Sequence, residues 1–323
     1  EGEEELIDGI LAEEPAASKL QIQLAVAALV TTVSVFLATL AGQDPWGGTS
    51  LSLGSLQSVG VGLGLAAPLV ALRAWSWTPQ ASQQTLSHLA DARLTQLEEV
   101  APWFTNLKGW DVAMLMALEV VPATLLLFPA TQGCLLGALD LYARLSSGYQ
   151  LGDDLPVLSN QPLVQLGCLS LTTSIAALGK GLELTVTEQE FNVVTAAVEN
   201  ADRYYRVMAT GVYRRAADAE YAARAFRAVA QAWFEMRAEA CVAAAGVCAL
   251  DVMALGGMWY GTHSLLAPAA AALAINSVDY FNFHTIIKQR EMKAQAAITK
   301  KSQPSGGSSN NSSSSNTARS SRK

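Results

Sequence analysis

The sequence predicts an all-α fold, a polytopic transmembrane helical bundle of about six spans with amphipathic helices on its surface. Three observations carry this. Apolar residues make up 51% of the 323 and are bunched into long uncharged runs. Charged residues make up 15%, where about a quarter is usual for a soluble protein. Basic residues also collect in the segments between alternate runs. A helix of roughly 20 apolar residues crosses the hydrocarbon layer while satisfying its own backbone hydrogen bonds.

The first run, residues 20–41, ends at the Gln43–Ser50 turn, where Trp46 suits the headgroup level. The second, residues 51–72, contains Gly60-x-x-x-Gly64, a small-residue pattern for close helix contact, and closes on Arg73, Trp75 and Trp77. Residues 79–109 read as a surface segment with a helix: Leu86, Leu89, Ala90, Leu94, Leu97 and Val100 recur at helical spacing until Pro102. The third span covers residues 112–139 and is interrupted by Glu119, Pro122 and Pro129, so a kinked helix or a re-entrant pair is expected. A polar loop at 140–154 leads to the fourth run, residues 155–179. Residues 238–260, carrying Asp251, and 264–283, carrying Asn276 and Asp279, supply the fifth and sixth.

Residues 180–238 differ: they are charged but patterned, with Arg203, Arg206, Arg214, Arg215, Arg224 and Arg227 beside apolar stripes. Such amphipathic helices lie on an anionic membrane surface or bind a partner, and their arginines argue against a span. Residues 1–17 hold seven acids and no base, and residues 288–323 hold eight bases and one acid. The expected organisation is an acidic flexible arm (1–17), a transmembrane domain (18–290) and a basic, Ser/Asn-rich disordered tail (291–323). With six spans, 20 of the 21 Lys and Arg fall on one side and only Arg144 on the other, as the positive-inside rule requires. Both termini are expected on the positive side. The first residue is Glu1, which fits a targeting peptide already removed.

Ionisable groups inside a membrane are functional candidates because lipid penalises them, which singles out Glu119, Asp251 and Asp279, with Asn276 and His263 nearby. The alternative is a set of acids hydrogen-bonded between helices. Pro268, Ala272 and Asn276 follow at four-residue spacing and share one helix face, which should look inward. Three histidines leave little for a multi-His metal site, and Cys134, Cys168, Cys241 and Cys248 read as buried apolar groups. No Walker loop or GxSxG elbow is present. No metal or cofactor is expected. The basic tail is explained by membrane anchoring without invoking nucleic acid.

The stretch Gly261-Thr-His-Ser-Leu-Leu-Ala-Pro268-(Ala)4-Leu-Ala-Ile-Asn276 resembles the last motif of the CAAX-protease-like membrane family, T-G-(S/N)-L-x-x-P-x-x-x-H-x-x-x-N. Pro268 and Asn276 match, and Ala272 stands at the histidine. The family's E-E-x-x-x-R span is broken too. Aligned on Phe128, it puts Thr124 and Leu125 at the two Glu positions and Pro129 at the Arg. Aligned on Glu119, it puts Val120 at the second acid and Thr124 at the Arg. Family chemistry uses Glu to activate water and His to hold metal or an oxyanion. The resemblance therefore implies a pseudoenzyme with no catalytic residues, Glu119, His263 and Asn276 being vestigial candidates.

Within the family, the sequence resembles degenerate plastid members that balance chlorophyll metabolism. This resemblance implies a non-catalytic scaffold in the thylakoid membrane, termini in the stroma, in contact with membrane lipids and with chlorophyll-metabolism proteins. Partner binding is expected at the arginines of 180–238 and at a groove near Pro268 and Asn276. A residual metallo- or glutamate peptidase, and an assembly factor or small-solute transporter, are the alternatives.

Overall fold

The computed structural model describes residues 9–50, 52–81, 86–147, 161–210 and 216–302. Residues 9–13 are helical, and then come α1 (Ala16–Leu40), α2 (Leu53–Ser76), α3 (Ser87–Phe104) and α4 (Gly109–Leu125). A π-helical segment, Leu126–Gln132, joins α4 to α5 (Gly133–Ser147). The chain continues through α6 (Gln161–Glu183), α7 (Glu188–Thr210), α8 (Ala216–Thr262) and α9 (Leu266–Ser302). No strand occurs among the described residues. The molecule is an all-α bundle.

Five of these helical stretches are long and apolar enough to cross a membrane: Ala16–Leu40, Leu53–Ser76, Gly109–Leu139, Pro162–Glu183 and Glu220–Thr262. Their outer faces leave Leu29, Phe36, Leu56, Leu171 and Leu178 exposed, a surface suited to lipid rather than water. The expected sixth span, α9, falls outside this set because Asn276, Asp279 and Asn282 dilute its apolar run. It nevertheless traverses the bundle. Leu265 N–H, just before α9, donates to Gly47 O at one end, while His284 Nε2 lies 3.0 Å from Leu107 O at the other. Polar residues are tolerated there because α9 is the central helix: Ala267, Ala271, Ala272 and Ile275 are each at most 2% exposed.

The tightest contact lies between α2 and α9. A Cβ built on Gly62 would sit 2.3 Å from Ala267 O, so only glycine lets the helices approach this closely. The sequence pointed instead to Gly60 and Gly64, and that is corrected: both face outward with nothing within 4 Å. The buried small-residue row is Ser58, Gly62 and Ala66, offset by two residues and spaced by four.

The kink expected from the prolines takes the form of the π segment around Pro129, while Pro122 is accommodated inside α4. Proline has no N–H and its ring crowds the carbonyl one turn back, so the helix widens there. Three boundaries move outward. The polar loop begins with helix, since α5 runs to Ser147. The surface segment ending at 238 and the span after it are one helix, α8, of 47 residues and ~70 Å, because no proline interrupts it. The helix α9 runs to Ser302, through the first part of the expected tail.

Contacts define two ends. At the near end, Lys19 is fully buried and its Nζ donates to Pro102 O (2.6 Å), Thr105 O (2.9 Å) and Thr105 Oγ1 (2.8 Å), satisfying carbonyls at the C-terminus of α3. Asn106, in the left-handed region at φ 63°, donates through Nδ2 to Ala12 O, so residues ahead of α1 dock here as well. At the far end, Trp259 Nε1 donates to Gly47 O at 3.1 Å, and Gly48, at φ 80°, packs on the His263 carbonyl, where a Cβ would approach to 2.2 Å.

Candidate functional site

Ionisable groups inside the bundle gather toward the near end, on four helices. Arg73, in the last turn of α2, bonds Asp251 of α8 through Nη2, and its Nε lies 3.3 Å from Asp279 Oδ2 of α9. Trp77 Nε1 donates to Asp279 Oδ1 at 2.6 Å. From α3, Arg93 donates to Ser76 O (2.9 Å) and Ser76 Oγ (2.6 Å), approaches Asp279 Oδ1 at 3.7 Å and stacks 4.5 Å above the Trp77 ring. Burial lowers the Arg93 pKa to about 10, with Asp279 opposing the shift and Arg73 adding to it, so the guanidinium is charged at neutral pH.

Two arginines thus meet two aspartates, with only 6–20% of each side chain exposed. Charges buried this far are tolerated when they are paired and hydrogen-bonded, and here each is. The arrangement clamps α2, α3, α8 and α9 together. The sequence singled out Asp251 and Asp279 but read Arg73 as an interfacial border and Arg93 as part of a surface helix. The available signal was three intramembrane acids with no intramembrane base, and Arg73 at the edge of a span.

Glu119, on the exposed side of α4, accepts a hydrogen bond from Tyr280 Oη of α9. Asn276 donates through Nδ2 to Ala272 O, one turn back on its own helix, at 2.8 Å. His263 sits in the α8–α9 turn at φ 51°, exposed, at the far end. Asn276 lies ten residues into α9 and Tyr280 fourteen, which places them ~15 and ~20 Å along the axis from the His263 end. The structure therefore does not bring Glu119, His263 and Asn276 together. Among the described residues, no group of three or more His, Cys, Asp or Glu converges where a metal ion would fit.

The expected groove at Pro268 is corrected as well. Pro268 is fully buried by the chain's own helices and cannot seat a partner. Of the arginines between 180 and 238, Arg214 and Arg215 lie outside the described residues. Arg203 pairs with Glu199 (3.9 Å), Arg206 with Asp202 (3.9 Å), Arg224 with Glu220, and Arg227 with Asp202. All four remain more than half exposed, on a hairpin of α7 and α8 that also exposes Tyr204, Tyr221 and Val229. Arg237 ties this hairpin to the bundle, bonding Thr95 Oγ1 of α3 and standing 3.6 Å from Glu190 of α7.

Leu125 and Ala272 belong to one apolar cluster with Phe128, Ala271 and Ile275, and Thr124, 3% exposed, bonds the Val121 carbonyl at 2.7 Å. The chain matches no protein-family model, no curated protein and no solved structure. The family resemblance rests on the motif residues alone.

Proposed function

We propose that this protein is a non-catalytic membrane scaffold, one that keeps a peptidase-like helical shell and recruits proteins through the helices projecting from its near end. One observation carries the proposal. Leu125 and Ala272, aligned with a family Glu and a family His, pack in a single apolar cluster and carry no group to activate water or hold an oxyanion. The residual-peptidase alternative would need Glu119, His263 and Asn276 to converge, and they are spread along the bundle. Proton-coupled transport would need a carboxylate free to change partners, whereas Asp251 and Asp279 share the Arg73 guanidinium.

The recruiting surface is the α7–α8 hairpin, where exposed Tyr204, Tyr221 and Val229 lie among the exposed arginines. It suits a protein partner with an apolar, acid-edged face. The motif at Gly261–Asn276 and the base-rich side support a thylakoid setting, with termini in the stroma and chlorophyll-metabolism proteins as partners. The test is affinity purification from solubilised native membranes. The triple variant Tyr204→Ser, Tyr221→Ser, Val229→Ser should lose the co-purifying proteins while keeping its helix content. Unchanged co-purification would count against the hairpin, and stoichiometric zinc or turnover of a prenylated peptide by the isolated protein would overturn the non-catalytic reading.

A further inference from the structure

The far end carries a cleft of about 290 Å³ that the scaffold reading leaves unused. It is walled by Gln43 and Asp44 of the α1–α2 turn, Gln165 of α6, Trp259 and Tyr260 of α8, and His263 of the following turn. The Trp259 and Tyr260 rings lie side by side, centroids 5.2 Å apart and planes 31° apart. Tyr260 Oη is buried and has no hydrogen-bond partner. Burying a polar atom without a partner is costly, and an unpaired hydroxyl on a residue that lines the cleft points to a polar occupant.

We infer that this cleft binds a neutral, hydroxyl-rich group of the saccharide class, either a glycolipid headgroup or a free sugar. The charge balance selects this class. Among the described residues no Lys or Arg lines the cleft, and Asp44 is present, so a phosphate would meet repulsion without a counter-charge. A simple cation is not selected either, because both Asp44 oxygens already accept backbone N–H groups, from Trp46 at 3.0 Å and Gly48 at 2.6 Å. What remains are two amides, a phenol and an imidazole, which both donate and accept as hydroxyl groups require, beside paired aromatic rings that offer an apolar platform. The cleft opens at the end of the spans, at headgroup level, with Trp46 exposed beside it.

The test uses the full chain in detergent, titrated with a short-chain glycosyl diacylglycerol, a short-chain phosphatidylglycerol and a soluble disaccharide, with bound ligand counted by native mass spectrometry. The glycosyl lipid should bind in preference to the phosphatidylglycerol. Gln165→Leu and Tyr260→Phe should each weaken it about fivefold to tenfold, the loss expected for one hydrogen bond, with helix content unchanged. Competition by the disaccharide assigns the site to the sugar alone, and its absence assigns the site to the intact lipid. No glycosyl binding, equal binding of phosphatidylglycerol, or unchanged binding in both variants would overturn the inference.

Discussion

Arg73 stands between Asp251 and Asp279, and the geometry makes its removal worse than the loss of either acid. Arg73→Met strands two carboxylates with one distant guanidinium, Arg93, to share. It should destabilise the bundle by about 3 kcal/mol, the usual cost of breaking a buried pair from one side. Asp251→Asn leaves Asp279 to hold Arg73 and should cost less than half of that. Arg73→Lys should resemble Met more than the parent, since an ammonium cannot reach two carboxylates as a planar fork does. Unfolding in increasing SDS, followed by far-ultraviolet circular dichroism, ranks the three; Asp251→Asn proving the most damaging would contradict this order.

Among elements, the α2–α9 pair is the sharpest test of packing. Gly62→Val drives a side chain into the Ala267 carbonyl and should separate the helices, at a cost of roughly 1–3 kcal/mol. Gly60→Val, two residues away, faces open space and should be near neutral. The same SDS titration reads both. Equal effects would mean that the buried row is not the one at Ser58, Gly62 and Ala66. Spacing showed the small-residue pattern but not its phase, because Gly60, Gly62 and Gly64 all lie in one turn and a half of helix and only the neighbour decides which is needed. The long helices α8 and α9 are a second instance: charge marks where a span ends, yet a helix continues past that point when nothing in the backbone stops it.

At the scale of the molecule, five helical stretches qualify as spans, and a crossing by α9, the least apolar, would bring the number of passes to six and both termini to one side. In a background lacking the native cysteines, Ser50→Cys should label from one side of sealed vesicles with a membrane-impermeant maleimide. Ser87→Cys and Ser302→Cys should label from the other. If Ser302 reports the side of Ser50 instead, α9 does not cross, and the bundle has five passes with termini on opposite faces. The near end holds the buried ionic clamp and the projecting hairpin, and the far end holds the saccharide cleft, so the two proposed activities are physically separable.

Runs of apolar residues, their interruption by Pro129 and the placement of the bases were enough to read an all-helical membrane bundle, because the lipid imposes length and composition on every span. The intramembrane acids were legible for the same reason. Their partners were not, since Arg73 and Arg93 come from segments that looked like borders and joined Asp251 and Asp279 only once four helices had packed. The fate of Pro268 was likewise a matter of packing: an inward face was predictable, but whether it met a groove or the chain's own helices depended on α2 and α4. The far-end cleft had no local signature at all. It is made by a turn, a π segment and two helix ends that are distant in sequence, and only their convergence brings Gln43, Gln165, Tyr260 and His263 around one cleft.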